Sequence, residues 1–223
     1  MGLAEQTDEL KLSRERILRT AIAIADREGL AKLTMRRLAE ELGAGAMSLY
    51  YYVPNKERLI DGMIDVVFSE IELPSTEIDW KDALRRRARS TREALNRHRW
   101  AVGLMEGRET GGEANARLHD AVLGCLREAG FSIELTVHAY SVQDAYIYGF
   151  ALQESALPFE SAEESAAVAE EQGWDVEALA AQFPYLAEVV AGHVAKVGYD
   201  FTEAFEYGLD LILEGLERRR DAQ

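Results

Sequence analysis

Ala46, Met47, Ser48, Tyr50 and Tyr51 lie in a short stretch in which only Leu49, with Tyr52 or Val53, is spaced to turn inward along a helix. The remaining side chains are free to meet a second molecule. They offer a hydroxyl, phenols, a thioether and a methyl group, a set suited to a nucleic-acid groove and its flanking phosphates rather than to covalent chemistry. Pro54 ends the stretch and Asn55 is placed to cap a following helix. Lys56 then falls in that helix's first turn, where a cation and free backbone amides together hold a phosphate.

The segment just upstream must position this stretch. Thr34 stands where an N-cap belongs, with Leu38, Ala39 and Leu42 on one face of a helix of about two turns and Arg36, Arg37, Glu40 and Glu41 on the other. Gly43 follows at the place where a helix ends in the left-handed conformation, and Ala44, Gly45 and Ala46 leave room for a second helix to begin at once. This is helix-turn-helix spacing. An ordinary helical hairpin with surface tyrosines fits the spacing equally well.

The capped Thr34 helix, LAEELG, the small-residue turn, SLYYYV and NKERLI closely resemble the amino-terminal domain of TetR-family transcriptional repressors, over residues from about 13 to 63. The resemblance implies contacts with operator DNA at Thr34, Arg36, Ala46, Met47, Ser48, Tyr50, Tyr51, Tyr52 and Lys56. Ala46 and Met47 depart from the polar side chains often found at those positions. They can touch thymine methyls but cannot make bidentate hydrogen bonds, so specificity leans on Arg36, Ser48, the tyrosines and DNA shape.

Composition sets the wider bounds. The chain has 223 residues, 48% of them hydrophobic, enough for a folded core. No apolar run approaches the roughly 18 residues of a membrane span and the first twelve residues lack an apolar signal core, so the protein is expected in the cytoplasm with no membrane partner. Cys125 is the only cysteine and falls on an apolar helical side beside Leu118, Ala121, Val122 and Leu126, which marks it as packing rather than a nucleophile. His98, His119, His138 and His193 lack metal-ligand spacing. No phosphate loop or hydrolase signature occurs, so no metal, no cofactor and no catalytic residue are expected.

A net charge of -15 argues at first against nucleic acid. Its distribution reverses the argument. Between residues 10 and 60 the bases Lys11, Arg14, Arg16, Arg19, Arg27, Lys32, Arg36, Arg37, Lys56 and Arg58 outnumber the acids, whereas Lys196 is the only Lys or Arg in 153–217. An acidic body on a mildly basic head repels DNA except through the head.

The expected domains are a disordered arm over 1–12, a helix-turn-helix domain with its connecting helix over 13–72, and a helical body over 73–223. In the head, Ser13 caps a first helix that Gly29 closes, and the connecting helix runs from Asn55 to about Ile71. In the body, helices are expected from Asp79, with Arg85, Arg86, Arg87, Arg89 and Arg92 on a solvated side, and over 114–129, 133–155 and 201–218. Residues from Pro158 to about Asp175 read as an acidic loop.

Residues 80–100, 129–132, 148–154 and 205–217 look like the tetracycline-repressor type of TetR-family ligand-binding and dimerisation domain. That resemblance implies an all-α fold and an effector pocket for an unidentified small molecule, with Phe68, His98, Trp100, Met105, His138, Gln143, Asp144, Tyr146 and Tyr148 as candidates. It also implies a homodimer through Ala145, Gly149, Leu152, Phe205, Gly208, Leu209, Ile212 and Leu216. Glycine inside a helix costs roughly 1 kcal/mol against alanine, so Gly149 and Gly208 suggest close backbone packing. The function expected is a repressor that binds a roughly palindromic operator as a homodimer and is released by an effector. An activator or ligand-independent regulator of the same fold is the first alternative, and a helical enzyme or interaction module the second.

Overall fold

The computed structural model describes residues 12–105, 112–157, 164, 167–168, 176–194 and 200–223. All regular structure among the described residues is helical, and the chain is all-α. It divides into two compact units, 1–141 and 142–223.

In the first unit, α1 (Arg14–Glu28) starts where the Ser13 side chain accepts from the Arg16 N–H at 3.2 Å and ends at Gly29. A short 3-10 turn, Leu30–Lys32, leads to Thr34, which caps α2 (Met35–Leu42) by accepting from the Arg37 N–H at 3.1 Å. Gly43 closes α2 with φ 65°, a conformation that side chains with a β-carbon rarely adopt. Three residues later α3 (Ala46–Tyr52) begins, and the Asn55 side chain then caps α4 (Lys56–Ser69). Ile17, Ala21, Leu38, Leu49, Leu59 and Met63 meet in one buried core, so each of the four helices contributes to a single hydrophobic cluster.

The remainder of this unit is α5 (Trp80–Arg97), capped by Asp79, then a 3-10 turn at Arg99–Ala101, α6 (Glu113–Glu128) and the start of α7 (Ile133–Ser155). Trp80 packs edge-on to Phe131 with ring centres 4.9 Å apart. α4 packs on α6 and α1 on the turn after α5, which is why the head and the first part of the body form one compact unit whose limit falls within α7. One arginine departs from expectation. Arg87 is buried, not solvated, because it falls on the same face as Leu84, Ala88 and Thr91.

The second unit holds the rest of α7, then α8 (Val176–Gln182), α9 (Pro184–Val189), a π turn at Val190–Val194, and α10 (Phe201–Arg220), capped by Asp200. Its core is aromatic, with Phe205 stacked on Tyr146 at 5.5 Å and edge-on to Phe150 at 5.1 Å. α8 and α9 were not foreseen in the sequence, being short and without a strong apolar stripe. The expected arm falls outside the described residues apart from Leu12, as does nearly all of the expected 158–175 loop.

Candidate nucleic-acid interface

The second helix of the helix-turn-helix is pinned by two residues. Leu49 is fully buried and Val53 nearly so, and burying a leucine contributes about 1.5–3 kcal/mol, which fixes α3 on the core along one edge. Its other side is bare. Met47 is 82% exposed and Tyr51 85%, with Ala46, Ser48 and Tyr50 also exposed. Tyr52 is half-buried and meets Tyr51 edge-on at 5.1 Å. A seven-residue helix presenting this much apolar and aromatic surface is built to be covered by something else.

The charges nearby are arranged for exchange. Arg36 pairs with Glu40 at 3.0 Å in the open, a contact worth little in water that a phosphate can replace. Arg37 is tied more firmly, to Glu41 at 3.0 Å and Glu28 at 3.4 Å, and Arg27 joins the same group. The hydrogen bond from Arg27, with help from Arg37, holds the Glu28 carboxyl below the usual carboxylate range. These arginines therefore brace α1 against α2. The half-buried Lys56 has no ion pair among the described residues and stands in the first turn of α4. Thr34 is exposed, and its hydroxyl oxygen is engaged in the α2 cap.

The nine effector candidates are not alike. Phe68 and Met105 are buried in the first unit, and His138 is exposed. His98 and Trp100 meet around the Asp26 side chain: His98 Nδ1 lies 2.8 Å from its Oδ1, and Trp100 Nε1–H donates to the same oxygen at 2.6 Å. Trp100 also packs against the core of the helix-turn-helix. In the second unit Tyr148 and Asp144 are buried, and Tyr146 donates its hydroxyl to the Phe205 carbonyl at 2.9 Å. Gln143 differs from all of these. It is 1% exposed, and neither its amide nitrogen nor its oxygen has a hydrogen-bond partner among the described residues.

Comparison with known proteins matches this geometry to a family. Residues 17–63 match the model for bacterial regulatory proteins of the tetR family, and residues 73–220 match the tetracyclin repressor-like C-terminal domain. The chain belongs to the TetR family. It is 36% identical over 217 residues to the HTH-type transcriptional repressor DrrR1 of Streptomyces coeruleorubidus, covering 92% of this chain and 77% of that one. It is 33% identical over 214 residues to the class C tetracycline repressor protein of Escherichia coli, covering 94% and 93%. Among solved structures, Streptomyces coelicolor ActR in complex with actinorhodin superposes with a TM-score of 0.75 at 31% identity, covering 94% of this chain and 99% of that one. Within the TetR family the chain is a transcriptional repressor.

The proposed dimer residues of this TetR-family chain split by direction. Ala145 and Leu152 on α7 are exposed and Gly149 is half-exposed, as is Ile212 on α10. Phe205 and Leu209 are fully buried in their own chain and Leu216 nearly so, which takes them off the partner-facing surface. Gly208 also has an internal use, since a β-carbon there would fall on the Tyr146 ring. α10 is apolar on more than one side, and sequence spacing does not tell its inner stripe from its outer one. The exposed apolar residues Val142, Tyr207 and Leu211 stand on the same two helices. Sequence reading also missed Asp26 and Glu70 as partners of His98, since no local pattern joins residues so far apart in the chain.

Cys125 carries no chemistry. Burial pushes its thiol up to about 11, with Glu128 and Asp79 adding to the shift, so the thiolate is scarce at neutral pH. No helix among the described residues is long and apolar enough to cross a membrane.

Proposed function

We propose that this TetR-family repressor acts as a homodimer, each protomer laying α3 in a major groove of a roughly palindromic operator with half-sites about 34 Å apart or at a related helical spacing. The observation that carries this reading is the bare face of α3, where Met47, Tyr50 and Tyr51 stand exposed on a helix anchored by Leu49. Ala46, Met47, Ser48, Tyr50 and Tyr51 face the groove, and Thr34, Arg36, Tyr52 and Lys56 reach its flanking phosphates. With no long polar side chain on that face, the operator is read through thymine methyls, tyrosine contacts and groove shape. The protein has no catalytic role and works in the cytoplasm, where its DNA is.

The effector is a fused-ring, oxygen-bearing molecule that hydrogen-bonds Gln143. A buried primary amide with neither donor nor acceptor engaged costs a few kcal/mol, and a ligand carrying both a carbonyl and a hydroxyl satisfies it. ActR, whose structure contains actinorhodin, is the relative that supports this class. Effector binding favours a state in which the two heads no longer match the half-sites, which needs a differential affinity of a few kcal/mol between the states.

A mobility shift with the DNA upstream of the chain's own gene tests both parts. Wild-type protein retards that fragment and actinorhodin, used as probe, releases it, whereas Gln143→Ala keeps the retardation and loses the release. Absence of any retarded band at low salt removes the operator reading, and release that is equal in Gln143→Ala removes the effector assignment.

A further inference from the structure

Most of the longer helices in this chain cap their own first turns. Ser13, Thr34, Asn55, Asp79 and Asp200 each accept from amides of the helix that follows them. α6 does otherwise. Its N-cap position is Gly112, which has no side chain to offer, and the acceptor comes from another helix: Asp65 Oδ1, in the middle of α4, accepts from the Ala114 N–H at 3.0 Å and the Asn115 N–H at 3.3 Å. First-turn amides have no carbonyl of their own helix to bond, so Asp65 is the group that satisfies these two. Its negative charge also sits at the positive end of the α6 dipole.

Gly112 is what lets the carboxylate in. Its φ of -73° is ordinary for any residue, but a β-carbon built there would fall on the Asp65 side chain. Asp65 and Gly112 also line an open cleft of about 340 Å³ that reaches Tyr52, Val53 and Pro54 at the end of α3. The cleft runs along the first half of α4, whose other side is held in the core by Leu59 and Met63, and the carboxylate ties the middle of the helix to α6.

We infer that Asp65 is the positioning residue that couples the connecting helix to the body, so that displacement of the DNA-contacting end of α4 is felt at the first turn of α6 and the reverse. This rests on the operator reading above, because it is DNA held at Lys56 that would bias α4. Coupling of this kind is reciprocal between the two sites. A carboxylate bridging two helices responds to their relative position more steeply than apolar packing does, since a hydrogen bond weakens sharply with misalignment.

Amide hydrogen exchange on the full chain, free and saturated with duplex DNA from upstream of its own gene, provides the test. In the wild type, exchange at Ala114 and Asn115 changes at least fivefold on DNA binding. In Asp65→Ala both amides exchange fast with or without DNA, although the mobility shift persists. Asp65→Asn, which keeps an acceptor oxygen, retains part of the DNA dependence. Gly112→Ser separates coupling from simple stabilisation: the serine caps α6 locally and excludes the carboxylate, so the amides stay protected but become indifferent to DNA. Exchange in the wild type that ignores bound DNA overturns the inference, as does a DNA dependence that survives Asp65→Ala or Gly112→Ser. Failure of wild-type protein to shift the fragment at all refutes the operator reading, is seen separately, and takes the coupling down with it.

Discussion

His98 and Asp26, far apart in the chain, meet with 2.8 Å between Nδ1 and Oδ1, and the other imidazole nitrogen lies 3.2 Å from Glu70 Oε2. One ring thus joins the end of α1 to the residue that ends α4, with the turn after α5 as its base. Arg97 donates to the same Glu70 oxygen at 2.8 Å. The joint is polar, mostly buried on the His98 side, and placed where the head meets the first helices of the body.

Asp26 is the sharer in that joint, since His98 and Trp100 both depend on it. Asp26→Ala is expected to destabilise the chain by about 1–3 kcal/mol, the range for hydrogen bonds to a charged group whose partners are then left without an acceptor. Urea denaturation followed by tryptophan emission measures it, and Asp26→Asn should recover part of the loss. An unchanged midpoint in Asp26→Ala would show the joint to be decorative.

Glu70 gives the joint a pH dependence of known sign. Burial pushes its carboxyl up, but the Arg97 hydrogen bond and the His98 contact outweigh this and leave it below the usual carboxylate range. A carboxyl lowered on folding stabilises fully above its unfolded value, about 4.3, and loses that contribution as pH falls through the folded value. Glu70→Gln should therefore be less stable than wild type at pH 7, with the gap narrowing as pH drops below about 4.3. A gap that is constant from pH 7 to pH 3, or that widens in acid, contradicts the assignment.

Local signals carried much of the fold, and pairings between distant residues carried what sequence could not show. Ser13, Thr34 and Asn55 sit next to the helices they cap, so composition and position sufficed to find them. The α3 face was legible for the same reason, because one leucine in seven residues leaves little doubt about which side is buried. Asp65 with Gly112 and Asp26 with His98 leave no periodic trace, since each residue alone looks like an ordinary exposed acid, loop glycine or helix-end histidine. Phe205 and Leu209 failed for another reason. α10 is apolar on two sides, and only packing on Tyr146 and Phe150 reveals which side its own chain uses.

The contrast between Leu49 and Tyr51, two positions apart, separates folding from recognition. Leu49→Ala removes a fully buried side chain and is expected to cost about 2–5 kcal/mol in urea denaturation. Tyr51→Ala removes one that is almost entirely exposed, so stability should stay within about 0.5 kcal/mol while operator affinity falls roughly tenfold or more. Lys56→Ala should weaken binding to every operator variant and flatten the salt dependence by about one unit of slope. Full operator affinity in Tyr51→Ala at unchanged salt sensitivity would place the DNA elsewhere.

The outward stripe on α7 and α10 fixes what a dimer test must change. Val142 and Leu152 on α7, with Tyr207 and Leu211 on α10, are large apolar residues left uncovered in the second unit. A two-fold interface uses the same patch on both protomers, so one substitution enters it twice and two like charges meet across the axis. Leu152→Glu combined with Leu211→Glu should therefore give a monomer in sedimentation, with helical content unchanged because neither residue belongs to the chain's own core. A monomer engages only one half-site, and losing the linked second contact should lower operator affinity at least about a hundredfold. The control is Leu209→Ala, which by the same structure damages the protomer's core rather than the shared surface and should lower the unfolding midpoint before it changes the sedimentation coefficient. A dimer that survives both glutamates would move the pairing surface off these two helices.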